Sequence, residues 1–113
     1  MSDAYARLST HVLDTARGEP AAGVPVRLDR AEDGRWAPVA SGTTDGDGRL
    51  REWVPATVWA AGAYRLVFDA AAWHGPAAFF QEVAVAFRVG EPDRPLHIPL
   101  LLSPYGYTTY RGS

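Results

Sequence analysis

Cysteine is absent, no apolar run is long, and neither sign of charge dominates. Without thiols there is no disulfide scaffold, no thiolate zinc or Fe–S ligation and no cysteine nucleophile. Basic residues number 11 against 13 acidic, a formal net charge of -2, so the electrostatic footprint of a nucleic-acid binder is missing. No window approaches the ~18 continuous apolar residues of a membrane span. Met1-Ser2-Asp3-Ala4-Tyr5-Ala6-Arg7 carries neither the basic nor the apolar region of a leader. The expectation is a soluble, cytoplasmic protein with neither nucleic-acid nor membrane partners. A Gly-x-Ser-x-Gly nucleophile elbow is also missing. The glycine-rich Thr44-Asp45-Gly46-Asp47-Gly48 lacks Lys and leads into a predicted strand, so it is no phosphate cradle.

What remains is a chain of 113 residues, 47% apolar and 21% charged, with no internal repeat, linker or low-complexity stretch. That describes one domain, residues 1–113, able to bury a core without staples. Its apolar residues alternate with period two between closely spaced turn signals, the pattern of an all-β sandwich with little helix. Strands are predicted at Leu8–Leu13, Val24–Leu28, Trp36–Ala40, from Arg49, around Tyr64–Phe68, and over Val83–Phe87. Pro25 suits an edge or a bulge. Glu32-Asp33-Gly34-Arg35 and Thr44–Gly48 are predicted turns. Asp69 through His74, stopped by Gly75-Pro76, fits one short helix. Leu96-His97-Ile98-Pro99-Leu100-Leu101-Leu102 is apolar on both parities. Read as a peripheral strand, it has a second apolar face that predicts packing against another subunit.

His11 and His97 fall on predicted strands, opposite the residues assigned to the core, and so share the outer face. Arg49 has the parity of Arg51 and Trp53 and could join them if the strands are neighbours; an ordinary surface arginine is the alternative. A permanently charged planar donor there could stabilise an oxyanion or hold a polar ring. A three-histidine zinc site is the competing idea. It is disfavoured because His74 lies in the helical segment, no two histidines have ligand spacing, and no carboxylates complete the set. The tail, Ser103 to Ser113, carries three tyrosines and is expected to be docked rather than frayed.

Leu8-Ser9-Thr10-His11-Val12-Leu13-Asp14, the turn Asp47-Gly48-Arg49, His97-Ile98-Pro99-Leu100-Leu101-Leu102-Ser103-Pro104 and the terminal Tyr110-Arg111-Gly112-Ser113 together resemble the transthyretin-related 5-hydroxyisourate hydrolase family over essentially the whole chain. The resemblance implies a transthyretin-like β-sandwich of two four-stranded sheets with one short helix. It implies a homotetramer, a dimer of dimers, with active sites in the channel between dimers. It also implies hydrolysis of 5-hydroxyisourate to 2-oxo-4-hydroxy-4-carboxy-5-ureidoimidazoline in urate degradation, without a metal or organic cofactor. His11, Arg49 and His97 take the catalytic positions, and Thr108, Tyr110, Arg111, Gly112 and Ser113 the substrate-binding ones.

Three positions depart from the family pattern: Thr108 replaces a usual serine, Leu96 interrupts a His-Tyr-His run, and Phe79-Phe80-Gln81 lacks the usual proline. The implied mechanism has His97 and His11 orienting and deprotonating a water that attacks a ring carbonyl. Arg49 stabilises the developing charge, and either histidine could be the base. A noncatalytic transthyretin-like carrier and a β-sandwich interaction module are the alternatives. The histidines and arginine argue against the first, and the specified tail against both.

Overall fold

The strand that organises the molecule is the most regular one in sequence. The computed structural model describes residues 4–113; Met1, Ser2 and Asp3, on which part of the expectation of no leader falls, lie outside the described residues. Strand β1 (Leu8–Asp14) alternates buried and half-buried residues along its full length. Leu8, Thr10, Val12 and Asp14 point into the core, while Ser9, His11 and Leu13 point out.

Short segments collect around β1. On one side β8 (Leu96–His97) and β9 (Leu100–Ser103) run parallel to it, in the pairs Leu8 with Leu96, Ser9 with His97 and Val12 with Leu100. On the other side β5 (Arg49–Leu50) and β2 (Glu19–Pro20) pair antiparallel to its middle and end. Strand β10 (Gly106–Thr109) closes the far edge against β9. Six strand segments thus occupy four lanes, which is how the expected four-stranded sheet is realised.

The second sheet has the order β4-β3-β6-β7, from β3 (Pro25–Glu32), β4 (Arg35–Thr43), β6 (Gly62–Phe68) and β7 (Val83–Val89). Asp33 and Gly34, both at positive φ, make the two-residue turn between β3 and β4. Between the sheets lie Val24, Val26, Leu28, Leu66, Phe68 and Leu100, all nearly inaccessible. Tyr64 is fully buried because its hydroxyl is satisfied, donating to the Val58 carbonyl and accepting from the Ala60 N–H. Helix α1 (Ala71–His74) is the one short α-helix among the described residues. The Asp69 carboxylate accepts from the Ala72 N–H and Gly75, at φ 97°, ends it.

Three expectations need correction. Residues 96–102 are not a peripheral strand but an interior lane, interrupted at Ile98-Pro99 because proline has no N–H to continue the ladder. The Thr10 and Thr109 hydroxyls donate to the Ile98 and Pro99 carbonyls across that gap. Pro25 begins an interior strand rather than lying on an edge, tolerated because it is the first residue. Arg49, Arg51 and Trp53 do not share a face. Glu52, at φ 53°, breaks the alternation, and Trp53 turns into the core with its indole donating to the Leu8 carbonyl.

The turn before β5 is tied to β1: the Val12 N–H donates to the Gly48 carbonyl, and the Ala21 N–H to the Val12 carbonyl. Gly48 sits at φ 75°, and a Cβ there would overlap the Val12 carbonyl oxygen and press on Pro20 Cβ at 3.0 Å. Gly48→Ala is therefore expected to lower the unfolding free energy by more than about 1 kcal/mol, read as a lower urea midpoint. Gly46→Ala, where a Cβ meets open space, should leave that midpoint in place.

Candidate active site

The outward face of β1 is the floor of the site. Ser9 and His11, two residues apart, point the same way. Each has a register partner on a neighbouring lane: Arg49 of β5 lies opposite His11, and His97 of β8 lies beside Ser9. Residues paired across strands project to the same face. Four polar side chains from three distant stretches of sequence therefore meet on one patch of sheet.

Arg49 is placed by the turn before it. The Asp45 carboxylate accepts from the backbone N–H of both Asp47 and Arg49, and the Asp45 N–H donates to the Arg49 carbonyl at 2.8 Å. The Arg49 N–H is the main reason the Asp45 carboxyl is held below its ordinary value, with burial opposing it and the Asp47 N–H adding to it. The same turn fixes a histidine: His11 Nε2 lies 2.8 Å from the Asp47 carbonyl oxygen. A carbonyl only accepts, so Nε2 carries the hydrogen. In neutral His11 the unprotonated nitrogen is then Nδ1.

His97 is held from three directions. Its Nδ1 is 2.9 Å from the Ser9 hydroxyl, its carbonyl accepts from the Gly112 N–H at 2.7 Å, and the Gly112 backbone packs against its ring. Burial pushes its pKa below the ordinary imidazole value; a hydrogen bond with the Ser9 backbone opposes this, and the charges of Arg49 and His11 add to the lowering. Ser9, Thr10, Arg49, Leu50, His97 and Ser113 help line an open cleft of about 350 Å³.

The other expected site residues are dispersed. Tyr110 and Arg111 line a separate, more apolar cavity of about 390 Å³ with Trp59, Phe87 and Ile98. Thr108 is exposed on β10, paired with Leu101. Gly112 belongs with His97 through the isolated bridge between them, and Ser113 alone of the tail lines the histidine cleft. His74 stands elsewhere, on α1, with its Nε2 buried and unpartnered among the described residues. Among the described residues no group of three or more His, Asp or Glu side chains is placed to hold a metal ion.

Ser9 did not stand out in sequence. Its parity with His11 gives its face, but its contact with His97 depends on a register between residues 88 apart.

The permanent positive charge of Arg49 disfavours the His97 imidazolium, so removing it should make protonation easier. Arg49→Gln is expected to raise the His97 pKa toward the ordinary value of about 6.5, followed by an NMR titration of the ring. An unchanged or lowered pKa would show that Arg49 does not act on His97 through charge.

A family model for the HIUase/Transthyretin family matches residues 8–112, which span every element described above. The chain is 45% identical over 114 residues to the 5-hydroxyisourate hydrolase of Caulobacter vibrioides, covering 94% of this chain and 97% of that protein. Among solved structures it is similar to 5-hydroxyisourate hydrolase from Klebsiella pneumoniae, with a TM-score of 0.80 and 37% identity over 94% of this chain and 97% of that one. Sea bream transthyretin in complex with thyroxine aligns with a TM-score of 0.86 and 32% identity over 94% of each chain. With a family model matched over residues 8–112, the chain belongs to the HIUase/Transthyretin family.

Proposed function

We propose that this chain hydrolyses 5-hydroxyisourate, opening its six-membered ring to give 2-oxo-4-hydroxy-4-carboxy-5-ureidoimidazoline in the breakdown of urate. The observation that carries this reading is the convergence of His11, Arg49 and His97 on one outward face, in a chain whose relatives include proteins named 5-hydroxyisourate hydrolase.

Hydrolysis of a ring amide needs a base for water, a stabiliser for the carbonyl oxygen and a proton for the departing nitrogen. A neutral imidazole takes one proton from water as its oxygen attacks the carbonyl carbon. The resulting imidazolium returns that proton to the ring nitrogen as the carbon–nitrogen bond breaks. A lowered pKa keeps His97 neutral and able to accept at physiological pH. The Arg49 guanidinium faces the developing oxyanion or the polar ring. Ser113 contacts substrate from the cleft wall. Thr108, Tyr110, Arg111 and Gly112 complete the proposed substrate contacts by resemblance; Tyr110 and Arg111 do so from the adjoining cavity.

A carrier for an apolar ring, as a second reading, is disfavoured by the ionisable groups on this face, which an apolar ligand would have to desolvate. No metal or organic cofactor enters the proposed step. A cytoplasmic compartment belongs to the same reading, checked by fractionating the host cell.

The proposed assembly is a homotetramer, a dimer of dimers with the histidine face lining a shared channel. Two features support it. Strands β7 and β10 each end a sheet with an unpaired edge, an arrangement that favours pairing with a second copy. Beside those edges Phe79, Tyr105 and Tyr107 are exposed and cluster with Phe80. Sedimentation equilibrium should give a mass of four chains; a monomer at micromolar concentration would remove the channel.

The decisive assay follows the ultraviolet absorbance of freshly made 5-hydroxyisourate. Wild-type protein should accelerate its decay, and His97→Asn should lose about 10²- to 10⁴-fold in kcat/KM. Arg49→Ala should lose about 10²- to 10³-fold, with both variants still folded by circular dichroism. Decay at the spontaneous rate with wild-type protein would end the hydrolase reading.

A further inference from the structure

Two groups grip the His97 ring from opposite edges. On one edge Nδ1 lies 2.9 Å from the Ser9 hydroxyl. On the other, a Cβ on Gly112 would stand 2.7 Å from the ring Cδ2 and 3.3 Å from Cγ, closer than real side chains approach. Gly112 has no positive φ, so the lack of a side chain there answers to packing rather than to backbone conformation. The Gly112 N–H also anchors the His97 carbonyl at 2.7 Å, which keeps the backbone from sliding away from the ring.

We propose that Ser9 and Gly112 are positioning residues for His97: the Ser9 hydroxyl accepts from Nδ1–H, Gly112 leaves room for the ring, and Nε2 is presented unprotonated to the cleft. The inference rests on the reading of His97 as a proton acceptor. A hydroxyl can donate or accept, and only one sense serves that role. If Ser9 donated to Nδ1, the neutral ring would carry its hydrogen on Nε2, and the lone pair would be spent on Ser9 instead of water. With Ser9 accepting, Nδ1–H is already in place. Uptake of a proton at Nε2 then requires no rotation of either group, which is the advantage of a preorganised site. Among the described residues Nε2 has no hydrogen-bond partner, whereas Nδ1 has Ser9.

Long-range proton–nitrogen NMR correlations of the His97 ring read the tautomer directly, whether or not the protein is active. At a pH above the His97 pKa the wild-type ring should show Nδ1–H and a bare Nε2. Ser9→Ala, which leaves the ring only the Ser9 backbone as a partner, should weaken that preference, and Ser9→Thr, which keeps the hydroxyl, should restore it. In the 5-hydroxyisourate assay Ser9→Ala should lower kcat about ten- to a hundredfold, the scale on which removing a partner that orients a ligating imidazole is felt. Its KM should be little changed, and Ser9→Thr should recover most of the rate. Gly112→Ala should lower kcat in the same way by displacing the ring; if it fails to fold, the Ser9 variants carry the test.

A wild-type ring with its hydrogen on Nε2 would overturn the proposal, as would Ser9→Ala retaining both the wild-type tautomer and the wild-type kcat. Inactivity of the wild-type protein, with the tautomer as expected, would instead remove the hydrolase reading and leave the positioning intact.

Discussion

The structure depends on β1 being paired along both of its edges. A parallel partner on one side and antiparallel partners on the other fix its register twice, and a slip of one residue would turn every side chain to the opposite face. Leu8, Thr10 and Val12 cannot leave the core without exposing what the second sheet covers. Holding them inside holds Ser9 and His11 outside. The position of the polar face is therefore secured by burial of the apolar one, and the site needs no separate scaffold.

The two neighbours bring their residues by different means. His97 arrives on a lane that breaks immediately afterwards at Ile98-Pro99, where the two carbonyls accept from the Thr10 and Thr109 hydroxyls and the Ile98 N–H still donates to the Ser9 carbonyl. Arg49 arrives at the end of a tight turn whose conformation is set by the Asp45 carboxylate and by a glycine that no other residue could replace without colliding with β1. That turn also supplies the Asp47 carbonyl to His11. One loop thus positions the guanidinium and selects the hydrogen position on the facing imidazole, so backbone geometry at residues 45–49 reaches the chemistry of two side chains.

Much of this was legible in sequence where the cause is local. Alternation placed β1 and the buried Tyr64, Leu66 and Phe68 face, and the Asp-Gly pair placed the β3–β4 turn. The outward parity of His11 and His97 followed from the same rule. Trp53 was misplaced because Glu52 adopts a left-handed conformation that no residue type announces. The 96–102 segment was misread as peripheral because pattern shows which face is apolar, not which strand lies beyond it. Strand order is set by packing between elements far apart in the chain, and so are the Ser9 contact with His97 and the separation of Tyr110 and Arg111 from the histidine cleft.

The two histidines are not equivalent. His11 donates through Nε2 to a carbonyl, which leaves Nδ1 as its only acceptor and binds its ring to a loop. His97 turns Nδ1 toward a hydroxyl, is more deeply enclosed by strand and tail, and has its charged form disfavoured by burial, by Arg49 and by His11 itself. When one of a pair of close imidazoles is protonated, the field it creates lowers the affinity of the other for a proton. The environments of the two rings therefore differ: the His97 ring is enclosed beside a fixed positive charge that disfavours its charged form, and the His11 ring is held by an exposed loop. That asymmetry distinguishes the two rings in an otherwise symmetric pairing of His11 with Arg49 and Ser9 with His97.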